Sequence, residues 1–231
     1  MSSALLYKPS ENFHRSARVL NLYEDVVPQE GREGVDAHTR LGESGRHGDK
    51  VADDGEAGQK VFGKAMDDRF TYPVMLGIAE KIQGKKLSCD LYLASTVLEE
   101  VGLRGVQFLS KHGFDIGIAL DIGIAGDYPA LPKGRMPIKL GGGPVLVWRD
   151  AGIVYYIDTI KELMETAERH NLPYQHGIFE HYGSDGVSMV LGGAKPNLVA
   201  TLCRYSHMPI ETMHLDDINR TVELLYNYVT D

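Results

Sequence analysis

From Val61 onward the chain switches repeatedly between two apolar periods, and that alternation narrows the fold more than any other feature. Val74, Ile78 and Ile82 recur at i, i+4 and i+8 after a DDR triplet. Pro73 is tolerable in a first turn and Gly84 can end the helix. LSCDLYLASTV (Leu87 to Val97) alternates and predicts a strand. A helix is predicted around Leu103 to Lys111, stopped by His112-Gly113, and FDIGIALDIG (Phe114 to Gly123) is the next strand. GGGPVLVWRDAGIV predicts a loop leading into another strand. Tyr155 to His170 carries an apolar stripe of Ile157, Ile160, Leu163, Met164 and Ala167, ended by Asn171 and Pro173. Short strands follow at Tyr174 to Phe179 and Asn197 to Ser206. A last helix is predicted from about Asp216 to Val229, with Ile218, Val222, Leu225 and Val229 on one face. Strands and helices in alternation predict an α/β fold, a three-layer α/β/α sandwich with a mostly parallel central sheet. In such sheets, sites form from loops at the carboxyl ends of the strands.

The earlier residues are of another kind. Pro28 to Lys60 is rich in Gly, Asp, Glu, Arg and His and nearly free of large apolar side chains, so it can bury little surface. Residues 1–60 are therefore expected to be a poorly structured or remnant segment, and 61–231 the core. Phosphate binding needs clustered Lys and Arg, and with a formal net charge of -8 nucleic acid is not an expected partner. No apolar run reaches the roughly 18 residues of a membrane span. The start, MSSALLYKPSENFHR, lacks a long apolar h-region, so no secretory signal is expected. Cys89 and Cys203 lie in apolar runs without a C-x-x-C pattern, which predicts buried free thiols and a cytoplasmic protein.

Four segments set acidic or imidazole groups at predicted element ends: GKAMDDR (Asp67, Asp68), STVLEEVGLRG (Glu99, Glu100), ALDIGIAGD (Asp121, Asp127) and RYSHMPIE (His207, Glu211). Each has a plainer reading. An Asp pair can cap a helix. Glu-Glu can complement a helix dipole. His207 can be an ordinary surface histidine, and Arg69 a salt-bridge partner of the acids. Converging, the same groups are what divalent cations need: carboxylates and imidazole around a shared water.

In this order, GKAMDDR, TVLEEVGLRGV, ALDIGIAGD, a GSDG loop and RYSHMPIE resemble the M42 metallo-aminopeptidases of the TET type, from Gly63 to the end of the chain. These are also named glutamyl aminopeptidases or endoglucanases. The resemblance implies a hydrolase acting on peptide N-termini, two divalent ions (zinc or cobalt) and a homo-oligomer. It also implies roles. Asp67 would bridge the metals, with Asp68 following across a strained peptide bond and Arg69 in support. Glu99 would be the general base. Glu100 and His207 would bind one metal and Asp121 the other. Tyr182, Gly183, Ser184 and Asp185 would line the substrate pocket.

The family also carries a histidine in an AH-x-D motif on an early strand, and a β-rich domain inserted between it and DDR. Here VDAHTRLGE offers Ala37-His38, with Arg40 where the family has Asp, while His14 and His47 fit less well. Alternatively SGRHGDKV (Ser44 to Val51) resembles the re-entry from the inserted domain, and the early histidine has no counterpart. Either way the inserted domain is expected to be missing, and without an early histidine one metal site would be weakened. Two other functions stay open: a metal-poor paralogue serving as a binding or assembly subunit, and a glycan hydrolase. The second normally needs two carboxylates and no metal.

Overall fold

A computed structural model describes residues 2–8, 17–21, 51–53, 59–87, 89–127 and 136–231. His14, His38, His47 and the stretch 44–50 lie outside the described residues. The strands are β1 (Ser2–Lys8), β2 (Ala17–Asn21), β3 (Val51–Asp53), β4 (Gln59–Gly63), β5 (Asp90–Thr96), β6 (Ile116–Ile124), β7 (Val145–Arg149), β8 (Gln175–Ile178), β9 (Lys195–Arg204) and β10 (Glu211–His214). The helices are α1 (Thr71–Lys81), α2 (Arg104–Leu109), α3 (Ile157–Arg169), α4 (Gly186–Met189) and α5 (Leu215–Thr230).

β6 and β9 form the middle of one sheet, paired in parallel from Ile116↔Lys195 to Ile124↔Cys203. Both are near-continuous apolar runs and are buried along almost their whole length, as strands covered on both faces must be. Thr201 of β9 meets Thr221 of α5 through hydroxyls 3.0 Å apart. On the opposite face Gly117 of β6 sits under α4, where a Cβ would come within 2.5 Å of the Met189 sulfur. Helices therefore cover both faces. α1 and α3 each pack against α5. α3 buries Ile160, Leu163 and Ala167 from its predicted stripe, while Thr159 and Thr166 replace Ile157, which is 47% exposed. Cys89 and Cys203 are buried and do not form a disulfide.

The α/β class holds, but the sheet is more mixed than the alternation suggests. Three of the nine described pairings (β2–β5, β6–β9, β7–β8) are parallel and six are antiparallel. The antiparallel share comes from short connections and from β1. β9 turns back into β10 over only six residues, a link too short for a helical crossover. β1 inserts antiparallel between β5 and β6. Its Ala4, Leu5 and Leu6 are buried, so this short apolar run is sheet core.

The directions fix where a site can form. β5 and β6 both oppose β1, β6 runs with β9, and β4 and β9 both oppose β10. β4, β5, β6 and β9 thus share one orientation and end at one edge. There Arg204, ending β9, donates from Nε and Nη2 to Asp127, just past β6, at 3.0 and 2.7 Å. Burial alone would raise the Asp127 carboxyl, but the guanidinium outweighs it and holds the group below its usual range. The sign follows: this pair stabilises the fold above the unfolded carboxyl pKa of about 3.9 and the contribution is lost as pH falls through the lower folded value. Asp127→Asn is expected to cost about 1 kcal/mol at pH 7, discounted for partial exposure. The difference in melting temperature from wild type should shrink toward zero on acidification.

Candidate metal centre

The turn after β4 carries Asp67. Its backbone is not helical at Asp67 (φ -75°, ψ 104°) or Asp68 (φ -120°, ψ 40°), and the peptide bond between them is cis. The Asp67 N–H donates to Glu211 Oε2 at 2.9 Å, and Ser206 Oγ donates to Asp67 Oδ2 at 3.0 Å. Glu99 and Glu100 lie in the loop after β5. That loop is closed by Gly105 N–H donating to Val97 O at 2.9 Å, an approach only glycine permits, since a Cβ would lie 2.6 Å from the Val97 backbone. His207 lies in the turn after β9. Six non-glycine residues among those described have left-handed φ, and five of them flank these loops: Ala65, Leu98, Leu103, Tyr205 and His207. Such conformations cost free energy and concentrate where geometry serves function.

Asp67, Glu100 and His207 converge so that one donor atom from each lies within 4.8 Å of the others. His207 Nε2 is 3.1 Å from Asp67 Oδ2 and 3.3 Å from Glu100 Oε2. With a protonated imidazole these are ion pairs. The same spacings suit a cation, because donors at the corners of a tetrahedral zinc site with bonds of about 2.0–2.1 Å stand about 3.3–3.4 Å apart. Two carboxylates and one imidazole, open to solvent at Glu100 and His207, are a donor set that leaves a coordination position for water. The residues present fit a divalent ion.

Asp121, on the same edge, is 3% exposed and lies outside that three-residue group. Burial, then the charges of Asp68, Glu99 and Asp67, push its carboxyl well up. Asp67 is raised by burial and by Glu100. Glu99 is pushed up to about 7 by burial, then by Asp185, Glu100 and Asp67. These carboxylates repel one another in a partly dry setting: the charge of Asp67 acts on Asp121, and those of Glu100 and His207 act on Asp67. A divalent cation would relieve that repulsion.

The other predicted residues divide. Tyr182 is half-buried and donates its hydroxyl to Ile122 O, next to Asp121. Gly183 is exposed. Ser184 and Asp185 are buried: Ser184 Oγ lies 2.9 Å from the Tyr155 hydroxyl, and Asp185 accepts from Thr96 Oγ1, so both tie the loop down from within. Arg69 does not pair with an acid among the described residues. It donates to the carbonyls of Ala65 (2.9 Å) and Lys64, bracing the Asp67 turn. The capping reading of the Asp pair fails too, since α1 begins without any side-chain cap. Glu211 stands in the sequence among the acidic groups without an assigned role and Ser206 is not among the candidates, yet both contact Asp67. The acid that ends the RYSHMPIE segment is the available signal.

The family model described as M42 glutamyl aminopeptidase matches residues 49–224. A protein of Acetivibrio thermocellus, provisionally named an aminopeptidase, is 37% identical over 173 residues, 73% of this chain and 51% of its own length. Among solved structures, a TET aminopeptidase from the marine sediment archaeon Thaumarchaeota archaeon SCGC AB-539-E09 superposes with a TM-score of 0.72 at 25% identity, over 79% of this chain and 51% of its own. The TET1 peptidase of Pyrococcus horikoshii, described as assembling into a tetrahedron or a large octahedral shell, shares the fold at a TM-score of 0.66 and 24% identity, over 79% and 53%. The chain spans about half the length of these relatives.

Proposed function

The chain belongs to the M42 glutamyl aminopeptidase family, and from that premise we propose that it forms the metal-binding catalytic part of an enzyme that removes residues from peptide N-termini. One observation carries the reading: Asp67, Glu100 and His207, from three separate loops, bring their donor atoms within 4.8 Å. These three would hold one divalent ion, zinc or cobalt. Asp121 would serve a second and weaker position, with Asp67 shared between the two. The imidazole seated between two carboxylates favours cation ligation over the metal-free chemistry of glycosidases.

Bound divalent ions supply Lewis-acid polarisation of the scissile carbonyl and a water that ionises near neutral pH. The remaining work belongs to the chain. Glu99, beside Glu100 but outside the ligand group, accepts the proton of the attacking water and returns it to the leaving amine. Acidic side chains at the site attract the substrate's α-ammonium, which selects N-termini. Exposed Leu98, Val101, Tyr205 and Met208 flank the loops and offer apolar surface to a peptide or to another copy of the chain. A homo-oligomer is the proposed assembly.

Hydrolysis of aminoacyl-4-nitroanilides is expected, with loss in a chelator and recovery on adding Co²⁺ or Zn²⁺. Metal at about 100 times its dissociation constant should also stabilise the fold by about 2.7 kcal/mol, read as a rise in melting temperature. Turnover unaffected by chelator, or none after cobalt loading, would refute the proposal.

A further inference from the structure

We propose that Glu211 is a positioning residue whose carboxylate sets the two ligand-bearing turns at ligation distance by spanning the backbone N–H groups of Asp67 and His207. The inference rests on the metal-site reading above and adds a device to it.

Glu211 opens β10 and is 1% exposed. Its two oxygens divide their work: Oε2 accepts from Asp67 N–H at 2.9 Å and Oε1 from His207 N–H at 2.8 Å. The two N–H groups lie 140 positions apart in the chain (207 - 67), in turns whose backbones leave regular structure, His207 with φ +62°. Ser206 adds a bond from its hydroxyl to the Asp67 side chain. The 206–211 turn therefore holds Asp67 by backbone and side chain while presenting His207, and the Glu211 carboxylate bonds to both backbones.

The side-chain chemistry is specific to the task. A carboxylate offers two acceptor oxygens, whereas a glutamine of the same shape offers one acceptor and turns an N–H donor toward the other N–H. Charge-assisted bonds are also about twice as strong as neutral ones. An acid buried merely to complete a strand would not need this double acceptance, since β10 already pairs with β4 at Glu211↔Gly63.

The test compares wild type, Glu211→Gln and Glu211→Asp as full chains. Three quantities are read: Co²⁺ affinity by competition with a chelating dye, the visible absorption spectrum of bound Co²⁺, and the melting temperature in EDTA. Glu211→Gln is expected to lower Co²⁺ affinity by about 10–100-fold, as loss of a supporting partner does. The Co²⁺ spectrum should change as Asp67 and His207 separate. If Glu211→Gln does not fold, Glu211→Asp carries the test, because it keeps the charge but is one methylene too short to span both N–H groups. A folded variant with wild-type affinity and spectrum overturns the inference and leaves the metal site standing. Wild type that takes up no Co²⁺ removes the metal-site reading and this inference with it.

Discussion

Glu99→Gln is expected to lower kcat for aminoacyl-4-nitroanilides by about 10²–10⁴-fold, the usual worth of a positioned proton-transfer group, with metal content unchanged. The substitution keeps the shape of the side chain and the three-residue ligand group, and removes only the basic oxygen. It has a second, opposite signature in metal-free protein. Glu99 is pushed up to about 7 by burial and by the charges of Asp185, Glu100 and Asp67, against an unfolded value of about 4.3. A raised carboxyl binds its proton more tightly in the folded state. Between those two values stability therefore falls as pH rises, and Glu99→Gln should flatten that part of the pH–melting curve. Lower turnover together with a flatter curve identifies one residue as both the base and a source of repulsion. Wild-type turnover in the variant would withdraw the assignment.

Leu6→Ala should destabilise the fold by about 2–5 kcal/mol, measured by denaturant unfolding. Leu6 is 1% exposed, pairs opposite Gly117 of β6 and Tyr92 of β5, and fills the space that Gly117 leaves beneath α4. Domains of this size are stable by only about 5–15 kcal/mol, so a loss of that order would be plain. An unchanged unfolding midpoint would mean that β1 is not part of the sheet core.

That second test falls where the sequence is least legible. β6, β9, α3 and α5 lie within about two residues of their predicted bounds, because long apolar runs and strong helical stripes leave few alternatives. β1 is different. Leu5 and Leu6 stand in a short run with no period, and what makes it a strand is its place between β5 and β6, a long-range fact. β10 was invisible for a similar reason: four residues after Pro209 carry no alternation that outweighs the turn before them. The convergence of three separate segments was legible through motif order, and Asp67, Glu100 and His207 do meet. Ser184 and Asp185 face inward and anchor their loop, which a motif cannot reveal. Glu211 is legible as an acid of the RYSHMPIE segment, but its partners are backbone N–H groups, the same for every residue type, so its role is not.

The antiparallel insertion of β1 also bears on how the molecule reaches its folded form. Ser2 pairs with Thr96 and Ser3 with Leu120, so the two neighbours of this strand are made long after it during synthesis. Bringing such distant partners together costs loop-closure entropy before any contact is gained, which slows folding. β6 and β9 can pair first, through their own register and the helices on them. The join between β5 and β6 is made only through β1, which pairs with both. A form of the chain with β1 undocked would leave the facing edges of β5 and β6 open, the kind of surface that invites aggregation.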